Sequence, residues 1–363
     1  MFSTVETDFA LNMLQQASVN ETLVVSSISV IFALAMIQAG AKGNTKSQIN
    51  AVISKGESDD EIQSYYANLS SEIQSAKNGV SSRIANGFFL NKDYSIEKSF
   101  ESVIANKYMA NVLSLDFSDE ASAAKIIDDF ISNATEGMIY DMVTEDTVRD
   151  AVSILVNAIY FHAKWLSPFD KTANTNGTFY GAGGVDREVE YMNEYDEHRR
   201  YTEDADFQLL SLPYKDTSYA MNILLPKERF GLSSLRSKLT GSRIQDLLSR
   251  LDTTYITLKI PKMKIETQFP LKEALIKMGL SDMFDDKSDL SGIAKEPPLK
   301  VSDAAHRAII QVDEDGTTAA AATVLKVVPL SATLEEPLNF SADHPFLFML
   351  TKDNNPLFIG QFV

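Results

Sequence analysis

The sequence predicts one α+β unit, and three observations carry that prediction. Apolar residues recur at helical spacing through much of the first half, whereas continuous or alternating apolar runs dominate the second. The 363 residues contain no Pro-rich or Gly/Ser-rich linker and no long like-charge block. A soft rule of one domain per ~150 residues would otherwise divide the chain. With 44% hydrophobic and 23% charged residues, there is material for one large core.

Taken in order, Phe9, Met13, Leu14 and Ala17 mark a first helix. Ile28, Phe32, Leu34, Ala35 and Ile37 mark a second, strongly apolar one that stops at Gly40, as helices tend to do. Gly43-Asn44-Thr45 reads as a turn and cap before Gln48, Ile49 and Val52. Acidic amphipathic helices follow near 59–76 and 119–136. Ala151 to Phe161 is a near-continuous apolar run, suited to a strand buried on both faces. Leu209 to Tyr214 and Ala220 to Pro226 read as two strands joined by a turn. Ile256 to Lys264 and Phe346 to Leu350 alternate as strands do. No internal repeat is present.

Charge and composition exclude several function classes. The chain has 50 acidic against 33 basic residues, a net charge of -17. Nucleic acid and heparin-like polymers require a basic stripe, because binding is driven by counterion release. The densest basic cluster, His198-Arg199-Arg200, follows Glu194, Asp196 and Glu197, so the local field nearly cancels. The absence of cysteine removes disulfides, a thiol nucleophile and thiolate metal sites. The most apolar stretch, Ile28 to Ile37, is far shorter than the ~20 residues a membrane span needs. Met1-Phe2-Ser3 runs into Glu6 and Asp8 without a basic or apolar leader, so a cytoplasmic location without a signal peptide is expected, unconventional release aside.

Nor does the chain show an active-site motif. Its four histidines, His162, His198, His306 and His344, are too far apart in sequence for a helical metal pair. There is no Gly-x-Ser-x-Gly elbow and no P-loop. Asp313-Glu314-Asp315-Gly316 resembles part of a calcium loop, but that register puts Gln311 first and Ala322 twelfth, where a Glu is required. Asp128 and Asp129 read as a solvated helix face. No metal and no cofactor is expected, and no catalysis.

One segment stands apart. Gly316-Thr317-Thr318 leads into Ala319, Ala320, Ala321 and Ala322, then Thr323-Val324-Leu325-Lys326-Val327-Val328-Pro329-Leu330-Ser331. The alanines favour helix while the Thr and Val flanks favour strand, and local sequence alone leans to a loop leading into a short helix. At strand period the segment is more coherent. One face carries Thr317, Ala319, Ala321, Thr323, Leu325 and Val327, small at its start and apolar at its end; the only charge, Lys326, is on the other. Such a strand can slide into a sheet, with Gly316 as its hinge. A segment metastable as a loop and better satisfied as a strand stores energy.

Glu314-Asp315-Gly316-Thr317 followed by the alanines resembles the proximal hinge of inhibitory serpins. Leu299 to Ala308 resembles the strand feeding that hinge, Asp343-His344-Pro345-Phe346-Leu347-Phe348 the family's C-terminal signature, and Phe358-Ile359-Gly360 its last strand. Ser26-Ser27-Ile28-Ser29 with Gly40 to Thr45 is similar to its helix B region. Asn157 to Phe161 with Lys164-Trp165 and Pro168-Phe169 is similar to its central strand, and Ile260 to Glu266 to another. The motifs stand in family order over the whole length.

The resemblance implies a single serpin domain over 1–363 with three β-sheets, eight or nine helices and an exposed reactive-centre loop at about 314–338. A target protease attacks the loop, and the acyl-enzyme is trapped as the cleaved loop inserts into the central sheet. Counting Glu314 as the first loop residue makes Leu330 the seventeenth, so the reactive bond is Leu330–Ser331, with Val328 and Pro329 adding specificity. Glu314, Gly316, Thr317, Ala319, Ala320, Ala321, Ala322 and Thr323 form the hinge. His306 matches a shutter histidine whose partners are Asn157, Ser26 and Ser29, and Trp165 the residue that plugs the sheet where the hinge enters.

Leu330 implies a chymotrypsin-like or cathepsin G-like target; cathepsin L-like cysteine proteases, or a non-inhibitory carrier or chaperone role, are the alternatives. The chain departs from the pattern at Thr318, where glutamate is common, at Ser27, where proline is, and at Phe130, where tryptophan is. None puts bulk or charge on the inserting face. The acid-rich 59–75 stretch argues against heparin activation. The resemblance is to the intracellular, ovalbumin-like branch, and a monomer is expected.

Overall fold

The stretch Ser27–Gly40 is apolar on every side, and such a helix has to be buried all round. Every residue of it except Ala39 lies in the interior. The computed structural model describes residues 2–108, 110–317 and 336–363, and ten α-helical segments lie among them. They are α1 (Phe2–Gln15), α2 (Ser27–Gly40), α3 (Gly43–Ile53), α4 (Asp59–Gln74), α5 (Lys98–Val103), α6 (Glu120–Ala134), α7 (Glu145–Val148), α8 (Leu232–Arg236), α9 (Gly241–Ser249) and α10 (Leu271–Lys277). Two of these, α7 and α8, are single turns of 4 and 5 residues.

The strands are β1 (Leu23–Val25), β2 (Val80–Asn91), β3 (Asn111–Leu115), β4 (Ser153–Lys164), β5 (Thr175–Phe179), β6 (Arg187–Glu203), β7 (Phe207–Pro213), β8 (Tyr219–Pro226), β9 (Asp252–Pro261) and β10 (Met263–Phe269). After them come β11 (Asp303–Asp313), β12 (Gly316–Thr317), β13 (Leu338–Ser341), β14 (Phe346–Lys352) and β15 (Asn355–Phe362). Six form one sheet in the order β10-β11-β12-β4-β2-β3. The other nine hydrogen-bond continuously, but β6 breaks register between Glu194 and Glu197, where Asp196 takes a positive φ of 57°. That irregularity divides them into two sheets sharing β6 and β9, which gives three sheets in all.

Three readings of the sequence need correction. The alternation from Ile256 to Lys264 is two strands, because the chain leaves one sheet at Pro261 and joins another at Met263. Helix α3 starts at Gly43 itself, with Lys42 at the cap. The first half also holds β2 and β3, which no clean periodicity marked.

The six-stranded sheet is covered on both faces. Ile154, Val156 and Ala158 of β4 join Ile127 and Ile131 of α6 in one cluster, while Leu155, Ile159 and Phe161 belong to the main core with α2. Strand alternation therefore turns Asn157 towards α2. On β11, Ala304, Ala308 and Ile310 belong to the same core, which sends His306 to that face too.

Candidate functional site

The middle of the six-stranded sheet holds a row of polar residues. Cross-strand register sets Asn86 of β2 opposite Asn157 of β4, and Asn157 opposite His306 of β11. Ser26 caps α2 with its side chain and, with Ser29, brings that helix end under the row. Ser26, Ser29, Asn157 and His306 are all completely buried. The Ser26 N–H donates to Nε2 of His306 at 3.1 Å, so that nitrogen is the acceptor and Nδ1 carries the proton. Nδ1 then donates to Oδ1 of Asn157, which also accepts from the Ser29 hydroxyl at 2.8 Å. The Asn157 amide donates onward to Asn86, and the Ser26 hydroxyl to the Leu357 carbonyl at 2.8 Å. Burial pushes the His306 pKa down to about 3, and the ring is neutral.

Here β4 and β11 touch directly. They pair in parallel from Asp303↔Ile154 to Ile309↔Tyr160. Above that point β12 lies between them, antiparallel to both: Thr317 sits opposite Val312 on one side and Ala163 on the other. The hinge turn needs glycine. Gly316 has φ 151°, and a Cβ there would meet the Ala163 carbonyl oxygen at 2.0 Å.

The inserted end is held by named contacts. Thr317 is fully buried, and its hydroxyl shares a hydrogen bond of 2.7 Å with the Tyr214 phenol. Trp165 stacks on Tyr214 at 4.5 Å and donates its indole N–H to the Asp313 carbonyl at 2.8 Å. The Trp165 and Phe169 backbone N–H groups bind the Asp315 and Glu314 carbonyls. Glu314 pairs with Lys262 at 2.9 Å and accepts from Asn174, and Asp315 pairs with Lys171 at 2.8 Å. Burial alone would raise the Glu314 pKa, but Lys262 and Asn174 hold it below the usual carboxylate range.

A family model described as Serpin (serine protease inhibitor) matches residues 4–363. The chain belongs to the serpin family. Among curated proteins it is 33% identical to Iripin-2 of Ixodes ricinus, the alignment covering 93% of this chain and 86% of that one. It is 32% identical to Antichymotrypsin-2 of Bombyx mori, covering 94% and 92%. Among solved structures it resembles Serpin48 of the insect Tenebrio molitor, described as a highly specific serpin, with a TM-score of 0.89, 28% identity and coverage of 99% and 97%. The family is one of protease inhibitors, not of enzymes.

In this serpin the structure brings Ser26, Ser29, Asn157 and His306 into one network; at the head of the sheet Trp165 hydrogen-bonds to Asp313 and Asp315, Glu314 is bound by the Phe169 N–H, and Gly316 and Thr317 pair with Lys164 and Ala163. Ala319, Ala320, Ala321, Ala322, Thr323, Val328, Pro329, Leu330 and Ser331 lie outside the described residues. Sequence reading assigned no role to Lys171, Asn174, Tyr214 or Lys262, which hold the hinge. The only signal available was the Pro261-Lys262 break between strands. Asp129 pairs with Lys125 on the surface, as a solvated face should, but Asp128 does more. Its carboxylate accepts the Met142 and Val143 backbone N–H groups at 2.9 Å and fixes the chain after α6. Among the described residues no cluster is arranged to hold a metal ion, and no helix is long and apolar enough to cross a membrane.

Proposed function

We propose that this serpin inhibits chymotrypsin-like serine proteases, with Leu330–Ser331 as bait and Thr317 to Val327 as the strand that enters between β4 and β11. The observation that carries this reading is β12. Two residues already pair antiparallel with both neighbours, and the sheet below them is closed. The protease serine oxygen would attack the Leu330 carbonyl carbon. The bond to Ser331 breaks, its nitrogen takes a proton, and an ester joins Leu330 to the enzyme.

Insertion then replaces the direct β4–β11 ladder with two new ones. At ~3.3 Å per residue, extending the strand from Thr317, already in place, to Val327 moves the tethered enzyme by several tens of ångströms. The apolar Leu330 suits an apolar primary pocket, and Antichymotrypsin-2, one of the relatives, is named for that target class.

Incubation with chymotrypsin, followed by denaturing gel electrophoresis and mass spectrometry of the released peptide, tests the reading. A covalent complex with a peptide beginning at Ser331 is expected. Cleavage without complex would make the chain a substrate, as a carrier or chaperone serpin would be. A complex with a cathepsin L-like enzyme alone would move the target to cysteine proteases.

A further inference from the structure

Glu6, in the second turn of α1, is fully buried, and neither oxygen of its carboxyl has a hydrogen-bond partner of good geometry. The other buried carboxyls among the described residues are served. Glu194 has Arg199, Glu314 has Lys262, Asp315 has Lys171, and Asp282 has the Asn44 and Gln48 amides. Ionising Glu6 where it stands would strand a charge away from water. Burial accordingly raises its pKa to about 8, outweighing the Tyr65 phenol, which also meets Asn355, and the amino group at the start of the chain.

Phe2 stands one helical turn before Glu6, on the same face of α1. Its ring stacks on Tyr65 of α4 at 3.9 Å and meets Tyr66 edge-on at 5.6 Å. Tyr66 already donates to the Ile53 carbonyl at 2.6 Å, and the Ser3 hydroxyl donates to Asn355 at 2.5 Å. Among the described residues of the elements packed against α1, no cation is spare. Lys46 pairs with Asp59, Lys55 with Asp8 at 2.6 Å, and Lys352 with Glu72 and Asp353 at 2.9 and 2.7 Å. On α9, Arg243 is taken by Asp204 and Asp206, and Asp246 by Arg250. Helix α2 and strands β1 and β15 contribute no ionisable side chain.

The rest of the helix is anchored differently. Asp8 accepts the Gly241 N–H at 2.7 Å, and Phe9, Met13 and Leu14 belong to the main core. Only residues 2–7 rest on the Glu6 face. We propose that Glu6 is a proton-operated latch: as a neutral acid it docks residues 2–7 of α1 on α4, and loss of its proton lifts them and uncovers Tyr65 and Tyr66. An undocked Glu6 titrates near 4.5 and the docked one near 8. Docking is therefore at full strength below 4.5 and weakens as pH rises. The opening constant grows about tenfold per pH unit and levels off above 8.

Hydrogen exchange of the full chain, read by mass spectrometry, tests the latch at residues 6–8, whose N–H groups bond within the first turns of α1. Each rate is divided by the intrinsic chemical rate at the same pH to give a protection factor. In wild type, protection should fall about tenfold per unit from about pH 5 to 8. In Glu6→Gln, whose amide has nothing to ionise, it should vary by less than about twofold over that range. At pH 8 it should exceed wild type by at least about a hundredfold. Phe2→Ala, which removes the stack on Tyr65, should lower protection at every pH by about the same factor and leave the slope unchanged. Wild-type protection that does not depend on pH, or the wild-type slope retained in Glu6→Gln, would overturn the proposal. The wild-type slope decides alone where Glu6→Gln fails to fold.

Discussion

The head and the middle of the six-stranded sheet handle polar groups in opposite ways. At the head, the chain around β12 is tied by ion pairs whose lysines face solvent, with Lys171 and Lys262 side chains 54% and 32% exposed. In the middle, His306, Asn157, Ser26 and Ser29 have no solvent at all and satisfy one another. Exposed pairs exchange with water at little cost, whereas a buried polar network is expensive to leave half made. Under the proposed mechanism the head is where a strand begins to enter, and the middle is where further entry meets resistance.

The sharpest way to break this comparison is Thr317→Arg. Thr317 is already enclosed between β11 and β4, and a guanidinium there would have to be buried without a partner. Cleavage by chymotrypsin should persist while covalent complex falls by at least about a hundredfold, read on a denaturing gel. Undiminished complex would sink the insertion account. Asn157→Ala should act next most strongly, because it orphans the His306 ring N–H, the Ser29 hydroxyl and the Asn86 carbonyl together. A loss of roughly 3 kcal/mol in urea unfolding is expected. A loss under ~1 kcal/mol would show that the network does not hold the sheet shut.

The pH dependence sharpens the same contrast. The His306 pKa is lowered from 6.5 to about 3 by burial, so in this window the unfolded chain binds the extra proton and the native one does not. The stabilisation is present above 6.5 and lost as pH falls towards 3, at roughly 1.4 kcal/mol per pH unit. Protonation would also set an N–H against the Ser26 N–H that now donates to Nε2. Unfolding midpoints of wild type and His306→Asn, compared from pH 7 to 4, should converge as the pH drops. Parallel curves would mean that His306 is not a buried neutral ring.

How much of this was legible in the sequence depends on the range of the contact. Asn157 interrupts an apolar run, and the family resemblance paired it with His306, but the face each occupies came from the structure. Strand β2 was missed because Ser81, Ser82, Arg83, Asn86 and Gly87 interrupt its apolar residues, and only its burial between β3 and β4 makes a strand of it. Lys171 opens a single 3₁₀ turn and Asn174 follows it, and Lys262 is a lone residue between two strands. Nothing local ties them to Glu314 and Asp315, which only the packing of separate sheets brings near.

The smallest expected effects separate the two hinge ion pairs from each other. The Glu314 carboxylate side chain is 5% exposed and depends on Lys262 and Asn174, whereas the Asp315–Lys171 pair leaves its lysine largely in water. Lys262→Ala should therefore cost about 1 kcal/mol at pH 7, because a buried carboxylate loses its counter-ion. Lys171→Ala should cost less, since water replaces an exposed ammonium readily and salt screens what remains. The depressed Glu314 pKa adds a sign to the test. Its contribution is present above the ordinary carboxylate range and fades as pH falls through it, so the Lys262→Ala deficit should shrink on acidification while that of Lys171→Ala barely moves. Equal deficits in urea unfolding at pH 7 would show that the head of the sheet is held by its backbone hydrogen bonds from Trp165 and Phe169 alone.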